Sequence, residues 1–117
     1  MHEIGMCESV LAAVERRAQG RSVDALTVRV GALLRVVPEA FAQAFAMVSA
    51  GTVADGATPE LIVVPVQGMC DECSTSFESD DPMLVCPSCN SLRVSREGGD
   101  DLVLESIRYR PAAAAQT

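Results

Sequence analysis

Cys70-Asp71-Glu72-Cys73 and Cys86-Pro87-Ser88-Cys89 are two C-x-x-C pairs with twelve residues between them. A C-x-x-C turn aims two sulfurs at one point, and two such turns supply the tetrahedral four-thiolate set that Zn2+ accepts. Each pair sits among turn-forming residues, with Asp71 and Glu72 inside the first and Pro87, Ser88 and Asn90 around the second. The spacing is that of a zinc ribbon. A redox C-x-x-C would need one pair beside a βαβ pattern and would leave the other pair unexplained. Rubredoxin-like iron sites use similar knuckles, but their pairs usually stand much further apart.

Two disulfides would require a secreted chain. The start, Met1-His2-Glu3-Ile4-Gly5-Met6-Cys7-Glu8, has neither a basic n-region nor a long apolar h-region. The longest apolar run, Leu61 to Val66, contains Pro65 and is too short to span a membrane. The expected location is cytoplasmic, with no membrane association. A site closed by four thiolates is structural, and modules below ~40 residues rarely fold without a metal or disulfide. Cys70, Cys73, Cys86 and Cys89 are therefore expected to hold a Zn2+ that orders the ribbon, and chemistry must be sought elsewhere.

The chain has 117 residues, which suits one ordinary domain or a small domain carrying an inserted module. Its net charge is −7, to which a zinc tetrathiolate adds about two negative charges. Nucleic-acid-binding ribbons show a basic face with stacking aromatics. Here the aromatics are Phe41, Phe45, Phe77 and Tyr109, the arginines are scattered, and Asp71, Glu72, Glu78, Asp80 and Asp81 make the ribbon acidic. Nucleic-acid binding is not expected. The chain contains no lysine, which removes Schiff-base and P-loop chemistry. One histidine at the terminus offers no catalytic triad, so no enzyme is expected.

Outward from the ribbon, apolar residues at Ile4, Cys7, Val10, Leu11 and Val14 mark one face of a helix from Glu3 to about Arg17, ended by Gly20. Cys7 falls on that stripe and reads as a small core residue. Leu26 to Val30 alternates as a strand ending at Gly31. Pro38 opens a second helix that Gly51 closes, with Phe41, Phe45 and Val48 on one face. Leu61 to Val64 reads as a strand buried on both faces, and Leu102 to Tyr109 as a last strand whose alternation breaks near Ser106. The expected fold is α+β: a small sheet of about three strands with two helices, plus an inserted four-cysteine zinc ribbon. Residues 1–66 with 101–110 form the first domain, 67–100 the ribbon, and 111–117 an Ala-rich disordered tail.

A histidine at position two lets the terminal amine, the backbone amides of His2 and Glu3 and the imidazole form fused chelate rings around one ion. Such planar nitrogen sets suit Ni(II) or Cu(II). On the residues alone, the plainer reading is that Met1-His2-Glu3 starts a helix, with Glu3 favourable against the dipole.

Taken together, Met1-His2-Glu3, the first amphipathic helix, Gly51-Thr52, Asp55-Gly56-Ala57 and C-x-x-C…C-P-x-C resemble the HypA/HybF family over residues 1 to about 110. The resemblance implies a nickel metallochaperone for [NiFe]-hydrogenase maturation. It implies nickel at Met1, His2 and Glu3, structural zinc at the four cysteines, and two partners, the GTPase HypB and a hydrogenase large-subunit precursor. Urease is a second conceivable recipient. The resemblance reverses the weighting at His2. There are departures: the family usually has Gly after each second cysteine, where this chain has Ser74 and Asn90, and Leu34-Arg35 stand where a Ser-Gly pair is common. The alternative is a zinc-ribbon protein-interaction module indifferent to nickel.

Overall fold

A computed structural model describes residues 2–81 and 83–111, with the backbone alone at residue 2. The order is α1 (His2–Ala18), β1 (Val23–Gly31), a 3-10 turn (Ala32–Leu34), α2 (Pro38–Ser49), β2 (Thr58–Val64), β3 (Val66–Cys70), β4 (Ser76–Ser79), β5 (Val94–Glu97) and β6 (Leu102–Tyr109). The strands make two three-stranded sheets, β2-β1-β6 and β4-β3-β5. This is the expected α+β architecture, with a second small sheet supplied by the ribbon. Residues 112–117 of the expected tail lie outside the described residues.

The chain packs as two compact units. The first comprises Met1–Val28, Val36–Leu61 and Val103–Thr117. Its core is the stripe Cys7, Val10, Val14 and Ala18 of α1, the β1 residues Val23, Ala25, Leu26 and Val28, and Phe41, Ala44 and Phe45 of α2, all buried. The i, i+3, i+4 spacing of these positions lets each helix present one apolar stripe. Phe41 and Phe45 stack with centroids 6.4 Å apart, and burying each is worth roughly 1.5–3 kcal/mol. α2 starts at Pro38 without a side-chain cap, because proline at the first position has no N–H to satisfy. Beyond it, Gly51 adopts φ 80°, and its N–H donates to the Asp55 carboxylate at 2.9 Å. Just past β6 the Arg110 N–H donates to the Ser22 carbonyl, and within it Arg108 pairs with Asp24 at 2.8 Å, so β1 and β6 run antiparallel.

Two sequence expectations are refined here. Leu61 to Val64 is not buried on both faces: β2 is an edge strand, and Ile62 and Val63 are 42% and 45% exposed. The central strand is β1. A continuous β-branched run fits either position, and Pro59 within β2 is the edge signal that distinguishes them. In β6 the sheltered side moves from Leu102 and Leu104 to Ile107 and Tyr109, which is the break of alternation read at Ser106.

Cys7 is fully buried, and its thiol donates to the Phe41 carbonyl at 3.5 Å. Desolvation, then the Glu3 carboxylate, pushes its pKa from 9.0 up to about 11. The thiol of the unfolded chain ionises near 9, while the folded one keeps its proton to about 11. Its contribution to stability is therefore complete below pH 9 and lost as pH rises through 11. The linkage amounts to roughly 2–3 kcal/mol. Denaturant melts at about pH 8 and about pH 10.5 should show a larger alkaline loss in the wild type than in Cys7→Ala.

The second unit comprises Arg29–Arg35 and Ile62–Leu102. Its own core is small: Ala32, Val66 and Leu84, with Leu33, Phe77 and Val94 packed around them. β3 lies between β4 and β5, antiparallel to both, with Gly68 opposite Phe77 on one side and Arg96 on the other. A Cβ on Gly68 would meet the Phe77 ring at 2.8 Å, so the aromatic lies over the bare glycine backbone. Gly31 and Gly99 cross still more closely. A Cβ on Gly31 would stand 2.1 Å from the Gly99 carbonyl carbon, and this crossing is tied by Gly31 N–H to Asp101 O and Leu33 N–H to Gly99 O, both 2.8 Å. The obstacle is backbone, which cannot rotate aside. Gly31→Ala should destabilise this unit by about 3 kcal/mol or more, read as earlier melting of the amides of residues 62–102.

Candidate metal centre

The two knuckles repeat one backbone pattern. In the first, Cys70 N–H donates to Thr75 O at 2.9 Å and Ser74 N–H to Cys70 O at 3.0 Å. In the second, Cys86 N–H donates to Ser91 O and Asn90 N–H to Cys86 O, both at 2.9 Å. Each turn closes on a left-handed residue, Ser74 at φ 63° and Asn90 at φ 62°. These are the positions where glycine is absent. Asn accepts this conformation at little cost; a serine there is held at roughly 1 kcal/mol of strain.

The turns aim N–H groups at sulfur as well. Glu72 and Cys73 N–H reach Cys70 Sγ, and Ser88 N–H reaches Cys86 Sγ, all at 3.4 Å. The four sulfurs lie within 4.8 Å of one another, with Cys70–Cys89 and Cys73–Cys86 at 3.6 Å across the knuckles. A tetrahedron with Zn–S bonds of about 2.3 Å has edges of about 3.8 Å, so the donor set needs to close by no more than about 1 Å around zinc. All five cysteines are free thiols.

Electrostatics point the same way. The Thr75 hydroxyl at 3.1 Å, then the Thr75 N–H, then the Cys86 thiol stabilise the Cys73 thiolate and draw its pKa from 9.0 to about 6. At Cys89 the Ser91 N–H pulls downward, but Cys70, desolvation, Cys73 and Cys86 together push it up to about 12. Cys73 gives up its proton readily, while Cys89 keeps one that it shares with the neighbouring sulfurs. A dication removes that obstacle, so the cluster is completed by a metal. Cys70 and Cys86 are buried while Cys73 and Cys89 face solvent.

The sequence reading did not find the residues that brace this centre. Ser91 Oγ donates to Glu72 at 3.2 Å, Ser95 Oγ donates to Asp71 at 2.7 Å, and the Thr75 hydroxyl lies 3.3 Å from Ser88 Oγ. Asp71 and Glu72 thus hold serines of the opposite strand and knuckle, which is how an acidic pair tolerates a neighbouring anionic cluster. The available signal was the hydroxyl residue two positions after each second cysteine, Thr75 and Ser91. Among the described residues only the four cysteines form a group able to hold a metal. His2 and Glu3 form the first turn of α1, where a carboxylate is favoured by the helix dipole, and Met1 lies outside the described residues. Among the described residues no helix is long and apolar enough to cross a membrane.

Comparison with known proteins gives a consistent result. The family described as "Hydrogenase/urease nickel incorporation, metallochaperone, hypA" matches residues 1–109. The hydrogenase maturation factor HypA of Methylocella silvestris is 39% identical over 105 residues, spanning 87% of this chain and 93% of that protein. HypA 2 of Bradyrhizobium diazoefficiens is 35% identical, and HybF of Escherichia coli 33% identical, each over 110 residues, 92% of this chain and 97% of the relative. The solution structure of the Ni metallochaperone HypA from Helicobacter pylori shares the fold with a TM-score of 0.61, at 24% identity over 93% of this chain and 97% of that one. With its four-cysteine centre and its match from residue 1 to residue 109, the chain belongs to the HypA family of nickel-incorporation metallochaperones.

Proposed function

We propose that this protein receives Ni(II) as cargo at Met1-His2-Glu3 and delivers it to a nickel-enzyme precursor, while Zn2+ at Cys70, Cys73, Cys86 and Cys89 holds the ribbon in shape. The observation that carries the reading is the family match, which begins at residue 1 and so takes in the triplet as well as the ribbon. The recipient is a hydrogenase large-subunit precursor, with the GTPase HypB as partner in the transfer. Urease is the other recipient to which the family description extends.

The chemistry of the triplet supports a carrier. The amine, two backbone amides and the imidazole form a planar nitrogen set suited to Ni(II), and a terminus exchanges its ligands more readily than a closed cage. The zinc centre is the opposite case: four thiolates, two of them buried, leave no open position. The deciding experiment adds two residues ahead of Met1. Nickel titrations should lose the absorption band of planar coordination, with zinc content unchanged. Planar nickel bound equally well by the extended chain would remove the amine from the ligand set, and a chain indifferent to nickel in both forms would leave a zinc-ribbon interaction module.

A further inference from the structure

We propose that the ribbon unit carries a docking groove for an extended acidic and apolar peptide segment of another protein, distinct from both metal sites. The groove has a volume of about 520 Å3 and is lined by Leu33, Arg35, Met83, Leu84, Leu92 and Arg96. Leu84, 5% exposed, forms its floor, whereas Met83 and Leu92 stand 65% and 70% exposed, among the most exposed large apolar side chains of the chain. Side chains of this kind next to a concave surface mark an interaction site more often than scattered single ones do.

Charge selects the occupant. The chain has a net charge of −7, and Asp24 pairs with Arg108 at 2.8 Å. The groove is lined by two arginines and no carboxylate, and among the described residues neither Arg35 nor Arg96 has an ion-pair partner. A cationic, apolar groove attracts carboxylates presented beside apolar side chains. Exposed guanidiniums form forked bonds to carboxylates, which fixes the register of an extended segment.

The backbone at Arg35 points the same way. It closes the 3-10 turn in the left-handed region at φ 54°, where glycine would sit without strain. An arginine there costs its own unit stability, and its side chain lines the groove.

The test uses the zinc-loaded full chain and a fluorescein-labelled twelve-residue peptide alternating Leu and Met with Asp and Glu. Binding should shift the amide signals of Leu33, Arg35, Leu84, Leu92 and Arg96. Replacing the acids by lysine, or the apolar residues by serine, should each weaken binding at least tenfold. Arg35→Gly with Arg96→Gln should weaken it at least tenfold as well, while zinc content and melting temperature do not fall. No binding at millimolar peptide, equal binding of the lysine peptide, shifts confined to other residues, or full affinity in the double variant would each overturn the proposal. So would flotation with phosphatidylserine vesicles that the double variant abolishes, or a dimer in sedimentation that the double variant dissociates, since the occupant would then be a membrane or a second copy.

Discussion

Cys86→Ser is expected to release the zinc and to unfold the ribbon unit while the helical unit stays folded. Cys86 is fully buried, so no water can take the place of its sulfur, and its sulfur stands 3.6 Å from Cys73 in the ligand set. Among the described residues, the unit's apolar cluster rests on Ala32, Val66 and Leu84. Burial of so few side chains contributes a handful of kcal/mol, whereas zinc in finger-sized modules is worth ~10–16 kcal/mol. The helical unit keeps Phe41, Phe45, Leu26 and the α1 stripe, none of which depends on sulfur ligation. The measurements are metal content and amide dispersion. In Cys86→Ser, signals of residues 62–102 should collapse to random-coil positions and those of 36–49 should persist. A zinc-free variant with a dispersed ribbon spectrum would show that the small core suffices and that the metal is dispensable to the fold. The same outcome is expected on chelation, more readily as pH falls, because protons compete with zinc for all four sulfurs.

His2→Ala is expected to lower nickel affinity by roughly a thousandfold or more, about 4 kcal/mol, with zinc and fold untouched. In the proposed ligand set the imidazole closes the anchoring chelate ring, and without it the backbone amides would lose the reason to ionise. His2 is the only histidine of the chain, so no neighbour replaces it. Calorimetry on zinc-loaded protein reads the loss directly, and stoichiometric nickel retained by the variant would sink the assignment. The pH dependence has a definite sign. An unperturbed terminal amine titrates at about 7.7–8.0, and in the proposed set it must lose its proton on binding, as must the amides, so affinity should fall as pH falls.

Much of this was legible in the sequence, for identifiable reasons. The sulfur positions are set by short-range turn geometry, and C-x-x-C twice over leaves one good solution. Pro38 and Gly51 bracket α2 because each has a backbone property no other residue shares. The glycine usual in the family after each second cysteine marked where both knuckles close left-handed, and Ser74 and Asn90 are found there. The strands β3, β4 and β5 were not legible, since they are four or five residues long and polar, with Gly68 in the middle of β3. Nor could spacing reveal that Ala32 and Leu33 pack with Val66 and Leu84, because that contact depends on tertiary closure across residues distant in sequence. The exposed face of β2 was misread for a related reason: an apolar run reports hydrophobicity, and only neighbours decide what it is buried against. The bracing serines and Thr75 are ordinary residues whose role exists only once the knuckles face each other.

The close crossing of Gly31 with Gly99 bears on the order of assembly. Closing a chain loop costs more entropy the longer the loop, so the turns that gather Cys70 to Cys89 form at small cost, and the crossing, which joins Gly31 to Gly99, encloses the whole module. Loop entropy alone therefore favours metal capture ahead of the glycine crossing.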